Sequence, residues 1–252
     1  MLMTAREQEI SRICGDIFWS CMARPESERV PLTRESANAL LISCLVNRQI
    51  AWEQAVALVD EMKKRTGYHD TLRMFTELTP PMVEHVMFEK PALHRHHYQA
   101  RFCCEAMVRV RDNLDGDTRN LWWDSPTGGQ LLDRLLDFKG LGFKTSALFL
   151  RLAVFQNNIQ LHDGYMSCVP SDDRHVRRVG ARLGLWDEDT TVKNIHEVAR
   201  RLNLVCPVEL DALFIIGTDW KCGGANPLCY GNDEAESCRL LRLCPSARQS
   251  RT

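Results

Sequence analysis

Apolar residues recur at spacings of three and four along almost the whole chain. No run of β-branched residues alternates with polar ones at a period of two, so the pattern predicts an all-α protein. Helices are expected near 4–23, 34–47, 51–65, 69–77, 80–88, 92–112, 128–137, 143–155, 173–184, 190–204 and 207–217. Two of these starts have a chemical cause. Thr33 and Thr79 stand where a hydroxyl can accept a backbone N–H of the first turn, and the Pro80-Pro81 pair suits a turn whose N–H groups lack intrahelical partners. The breaks are equally legible. Residues 113–127 mix turn formers with the Trp122-Trp123 pair, and residues 156–171 are polar and turn-rich. There is no internal repeat and no low-complexity tract.

The chain has 252 residues, 44% of them hydrophobic and 26% charged, enough to build a sizeable core in one large domain or two modest lobes. No stretch approaches about 18 uninterrupted apolar residues. The N-terminal residues scatter charges through the positions where a cleavable signal would be apolar. These features predict an intracellular protein with no membrane partner, in the cytoplasm or nucleoid of a prokaryote or the nucleus of a eukaryote. Eleven cysteines in such a chain point to metal or cluster ligation plus buried thiols, not to a disulfide framework.

A net charge of -1 does not announce a nucleic-acid partner. The charge is uneven, however. His94, Arg95, His96, His97, Arg101, Arg109 and Arg111 face the lone acid Glu105 within residues 94–111, and Arg174, His175, Arg177, Arg178 and Arg182 have no acid among them. Each cluster reads either as a solvated helix face or as a face for an anionic partner.

The most informative segment is residues 131–152, LLDRLLDFKGLGFKTSALFLRL. Two apolar helical stretches meet at Gly140-Leu141-Gly142, where glycine permits a left-handed turn and a close approach to another chain. Leu141 is expected to pack inward. The helix that follows begins with free N–H groups, a ready site for a phosphate oxygen. This segment, Gly140-Leu141-Gly142-Phe143-Lys144-Thr145, resembles the hairpin of endonuclease III and the other helix-hairpin-helix DNA glycosylases. The resemblance implies that Lys144 is the nucleophile and that Gly140, Gly142 and Thr145 belong to the DNA-binding hairpin. The bland alternative for Lys144 is a phosphate contact at a helix start.

In that family a later aspartate stands within a pattern like Val-Asp-x-His-Val-x-Arg-Val. Residues 169–179 read VPSDDRHVRRV, and register against His175, Val176, Arg178 and Val179 selects Asp173 over Asp172. Aspartate is also a good N-cap, and the two roles are compatible. The 29 positions from Lys144 to Asp173 exceed the link in many relatives, the excess falling at about residues 156–168. Those residues are either a surface loop or an element lining a base pocket.

The tail carries Cys222, Cys229, Cys238 and Cys244, separated by six, eight and five residues and compact enough for a tetrathiolate site. Endonuclease III relatives usually space their ligands by six, two and five residues, so the resemblance implies a 4Fe-4S cluster with residues 230–235 looped out. Zinc is the alternative for four thiolates. Cys14, Cys21, Cys44, Cys103, Cys104, Cys168 and Cys206 read as small buried hydrophobes.

The resemblance covers most of residues 33–244 and extends back to residues 40–55. There it implies that Gln49, with Arg48 as substitute, fills the gap left by an extruded base. Arg239 and Arg242, beside the cysteines, are expected near the DNA backbone. The fold implied has two helical lobes. One is a six-helix domain over 33–156 that carries the hairpin, and the other is a cluster lobe built from 1–32 and 157–252. The function implied is a base-excision repair glycosylase with AP lyase activity, a monomer acting on double-stranded DNA that contains a damaged, oxidised base. A monofunctional glycosylase and a non-catalytic metal-cluster DNA-binding module are the alternatives.

Overall fold

The computed structural model describes residues 3–90, 92–94, 96–218, 222 and 238–249. Among the described residues the protein is all helical, with no strand. The α-helices, in chain order, are α1 (Ala5–Cys21), α2 (Arg34–Val46), α3 (Trp52–Thr66), α4 (Thr71–Glu77), α5 (Pro80–Phe88), α6 (Tyr98–Asn113), α7 (Gly128–Leu136), α8 (Phe143–Asn157), α9 (Arg174–Arg182), α10 (Val192–Leu202), α11 (Ala212–Thr218) and α12 (Pro245–Gln249). Short 3-10 helices span Glu26–Glu28, Thr118–Leu121, Pro207–Asp211 and Leu241–Leu243.

Thr33 caps α2 as the sequence suggests, its hydroxyl accepting the Ser36 N–H at 3.1 Å. Thr79 makes no side-chain cap bond. Pro81, at the second helical position, lacks one of the two N–H groups such a cap would serve. The helix expected from residue 92 starts only at Tyr98. The delay has a specific cause, because His94 turns inward and bonds the Val46 carbonyl at 2.9 Å. The helix expected over 207–217 opens as a tight 3-10 turn led by Pro207 before α11 begins.

The chain divides into two compact units, one of residues 29–162 and one of residues 1–28 with 163–252. The changeovers lie at 28/29 and 162/163 rather than 32/33 and 156/157. Ile159 is buried and the His162 N–H donates to the Pro126 carbonyl at 3.1 Å, which ties residues 157–162 to the first of these units. Pro31 and Leu32 likewise join Trp122, Trp123 and Asn157–Gln160 around a cleft of about 290 Å³.

Among its described residues the 29–162 unit holds seven α-helices, α2 to α8, where the resemblance implies six. Helix α2 is its axis: Leu41, Ile42, Cys44, Leu45 and Val46 are all buried, and α3, α4, α6 and α8 pack on it. Each such side chain stabilises the fold by roughly 1.5–3 kcal/mol. Asn38, also fully buried, is satisfied by donating to Gly116 O at 3.1 Å and accepting from the Thr118 N–H at 3.0 Å and its hydroxyl at 2.7 Å. That exchange sets the turn that leads toward α7.

In the discontinuous unit, α1 buries Ile10, Ile13, Cys14, Ile17 and Phe18 and packs against the Pro207–Asp211 turn and α11. Helix α9 packs on α11 so closely that a Cβ on Gly217 would stand 2.7 Å from His175 Cβ. Of the seven cysteines expected in the core, six are buried and Cys21 is exposed. Cys21 is the last residue of α1, with its sulfur 3.5 Å from Ser20 Oγ.

Candidate nucleic-acid interface and catalytic residues

In the 29–162 unit, α7 and α8 are joined by Asp137–Gly142. Gly140 has φ +97°, and a Cβ there would stand 2.7 Å from Phe102 Cδ2 and 3.1 Å from Leu45 Cδ2. Backbone angle and space therefore both demand glycine. Leu141 is buried, as expected. Gly142 is the N-cap of α8, and nothing lies within 4 Å of where its Cβ would be, so this face is open to a second molecule. The Gly142 N–H donates to Thr145 Oγ1 at 3.1 Å, and the Thr145 hydroxyl donates to Gly142 O at 3.0 Å. Thr145 thus closes the hairpin from inside. Lys144 is exposed at the second position of α8, near the positive end of the helix dipole.

An aromatic seam links this hairpin to the loop after α2. Phe102, which fills the space beside Gly140, lies 5.5 Å from Tyr98, one turn earlier on α6. Tyr98 in turn stacks on His96 at 5.3 Å and carries the Arg48 guanidinium 5.7 Å over its ring. His96 Nε2 is 2.9 Å from Gln49 Oε1. Both expected gap-filling residues, Arg48 and Gln49, therefore sit on one continuous surface with Gly140. Cations line it: Arg101 and Lys139 lie 5.7 and 5.9 Å over the Phe102 ring, and Arg109 lies 4.9 Å over Phe138 while donating to the Asp137 carbonyl at 2.8 Å. Sequence reasoning missed Tyr98 and Phe102, and read His96 only as one member of a basic cluster. The signal was present in the four-residue spacing of Tyr98 and Phe102, which puts both on one helix face. Arg95 lies outside the described residues.

In the other unit, Asp173 is the N-cap of α9, 2% exposed, and accepts the His175 N–H at 2.7 Å. It is held from behind. Its own N–H donates to Ser171 O at 2.9 Å, and Ser171 donates through its N–H and hydroxyl to Asp211 Oδ1 at 2.8 and 2.9 Å. Asp172, the rival in the sequence, is paired instead with Arg177. Ser171 and Asp211 are positioning residues that no motif reveals, because they lie 40 positions apart in the chain.

Most of the basic cluster on α9 is engaged by the chain itself, and of its arginines only Arg174 is exposed. Arg177 is engaged by Asp172 and the Thr190 carbonyl. Arg178 donates to Cys222 O and Gly217 O, both at 3.3 Å. Arg182 donates to Cys222 O at 2.9 Å and to Cys222 Sγ at 3.3 Å, and its carbonyl accepts from Cys244 Sγ at 3.4 Å and Ser246 Oγ at 3.2 Å. Two of the four predicted ligands therefore meet at one arginine. Cys238 leads by way of a Leu241 N–H to Cys238 O bond of 2.9 Å into the turn ending at Cys244. Cys229 and residues 230–235 lie outside the described residues, and among the described residues no three metal-ligating side chains are gathered at one point. Arg239 is paired with Asp16 at 2.7 Å, and Arg242 is exposed.

Three solved structures align with the chain throughout most or all of its length. A trapped covalent intermediate of endonuclease III with DNA covers 100% of both chains at 19% identity and a TM-score of 0.63. The fold is that of the endonuclease III-like DNA glycosylases. A thermostable thymine-DNA glycosylase covers 97% of each chain at 16% identity and a TM-score of 0.62. The Clostridium acetobutylicum 8-oxoguanine glycosylase/lyase, bound to double-stranded DNA with cytosine opposite the lesion, covers 83% of this chain and 67% of its own at 14% identity and a TM-score of 0.53. No protein-family model matches the chain, and no curated protein matches it in sequence. Among the described residues no helix is long and apolar enough to cross a membrane.

Proposed function

We propose that the protein is a base-excision repair DNA glycosylase with AP lyase activity, acting on a damaged, oxidised base in duplex DNA inside the cell. The observation that carries this reading is Lys144, exposed in the first turn of α8 two residues after Gly142, where a Cβ would meet nothing within 4 Å. The endonuclease III-like fold supports it, as does the cationic, aromatic surface that joins the hairpin to Gln49.

A base within a duplex is out of reach, so the damaged nucleotide is rotated from the stack. The Gly142 face and the N–H groups of α8 bind backbone phosphate. The Lys144 nitrogen forms a bond through its lone pair to the sugar C1′ as the bond from C1′ to the base nitrogen breaks. The base leaves with the bonding pair and is protonated, while the Lys144 nitrogen, now bonded to C1′, gives up one proton, so that proton gain and loss balance. Ring opening then gives the Schiff base of Lys144, and loss of a proton from C2′ expels the 3′ phosphate by β-elimination. Asp173, fixed by the cap bond and by Ser171, stabilises the positive charge that develops on the sugar.

The tetrathiolate set fits a 4Fe-4S cluster on chemical grounds. Cys222 and Cys244 meet at Arg182, whose guanidinium N–H donates to the Cys222 sulfur, the kind of outer contact that supports thiolate ligands. A bound cluster would supply covalent closure of residues 222–244. Base removal transfers no electron, so Arg178, Arg182 and Ser246 act only to hold the loop. Visible absorbance with iron and sulfide analysis tests the metal, and a colourless protein with stoichiometric zinc would replace it.

Borohydride trapping tests the chemistry. Wild type is expected to form a covalent adduct with abasic or lesion-bearing duplexes, and Lys144→Ala none. Equal trapping by the variant defeats the lyase assignment. Base release without any adduct in wild type indicates a monofunctional enzyme, and DNA binding without base release indicates a non-catalytic module.

A further inference from the structure

The loop after α2 holds a non-glycine residue in a left-handed conformation. Gln49 has φ +61°, and the turn around it is closed by Arg48 N–H to Val46 O at 2.6 Å and Asn47 Nδ2 to Ile50 O at 3.3 Å. Strain of this kind persists where the surroundings over-determine it, and it concentrates at ligand clamps.

A second segment supplies part of that determination. His94 is buried, and its Nδ1 accepts the His96 N–H at 3.0 Å, so its own proton resides on Nε2 and is donated to Val46 O at 2.9 Å. Burial holds its pKa below the ordinary histidine value, which suits the neutral ring these two bonds require. His94, and through it the His96 N–H, is thereby bolted to the same Val46 carbonyl that closes the Gln49 turn. His96 arrives against Gln49 with Nε2 2.9 Å from Oε1, its ring braced on Tyr98 at 5.3 Å.

We infer that His96 is a positioning residue that holds the Gln49 carboxamide by its oxygen, leaving the N–H2 end to meet the base whose partner has been rotated out. This rests on the glycosylase reading above. A free glutamine amide can present either end. One whose oxygen accepts an imidazole N–H presents donors only, and every base offers at least one acceptor on its pairing edge. Fixing the side chain beforehand removes an ordering cost from binding.

The test uses the full-length protein and duplexes with an abasic-site analogue opposite fluorescent aminopurine, beside the matched undamaged duplex. Gln49→Ala and His96→Phe are each expected to weaken abasic-duplex binding roughly three- to tenfold, the scale of one hydrogen bond. The double variant should bind no more weakly than Gln49→Ala, and both single variants should lose the aminopurine emission change seen on wild-type binding. His96→Gln keeps a donor and should bind within about twofold of wild type, so it carries the test if His96→Phe does not fold. Additive losses, an unaffected His96→Phe, or no recovery in His96→Gln overturn the inference while the glycosylase reading stands. A wild type with no preference for the abasic duplex overturns both.

Discussion

Phe102 occupies the space that a side chain at Gly140 would need: its Cδ2 atom lies 2.7 Å from the position of a Cβ built on that glycine. Because Gly140 also has φ +97°, Gly140→Ala should destabilise the protein by about 2–4 kcal/mol, combining left-handed strain with overpacking. Phe102→Leu in the same background should recover part of the overpacking share and none of the strain. Denaturant unfolding of the two variants separates these contributions. A Gly140→Ala protein as stable as wild type would show that the hairpin can take another path.

Asp173→Asn separates capping from catalysis. Asparagine caps helices about as well as aspartate, so stability should change by less than about 0.5 kcal/mol. The negative charge is lost, and single-turnover base release should fall by about 100-fold or more. Asp173→Ala should lose both, with about 1 kcal/mol of stability gone. Retention of more than a tenth of wild-type rate in Asp173→Asn removes it from the chemistry.

Arg182 joins Cys222 to Cys244 through its two ends, the guanidinium on one and the carbonyl on the other. Arg182→Met keeps the stem and the carbonyl but loses the donor to sulfur. Metal retention during chelator challenge should weaken roughly tenfold or more, as for other outer-contact changes. The readouts are iron content and visible absorbance over time, and bleaching at the wild-type rate contradicts the assignment.

Glu7 links α1 to α10 by accepting from Arg201 at 2.7 Å, and it also receives the Thr4 N–H at 2.9 Å. The Arg201 hydrogen bond is the main reason its pKa falls from the ordinary 4.5 to about 2. A carboxyl depressed in the folded state stabilises fully above its unfolded pKa and loses that contribution as pH falls through the folded value. Glu7→Gln should therefore lower the melting midpoint by about 1–3 °C at neutral pH, with the two proteins converging between about 4.5 and about 2. Parallel curves over that range would show that the ion pair contributes nothing.

The local rules were readable from the chain alone. A helical period, the glycine turn before Lys144, the capping preference of Asp173 and the compact cysteine spacing each involve residues close in sequence. Their physical causes are therefore contained in a short window. Tertiary structure alone decided which polar groups face one another. His96 meets Gln49 across 47 positions, Asp211 holds Ser171 across 40, and Arg182 reaches Cys222 across 40 and Cys244 across 62. No periodicity encodes such pairs, because they arise only when separate helices pack and their loops compete for the same buried carbonyls and carboxylates. For the same reason Arg177, Arg178 and Arg182 of α9, which the sequence left open as a solvated face or a face for an anion, are engaged by the chain's own carbonyls and by Asp172.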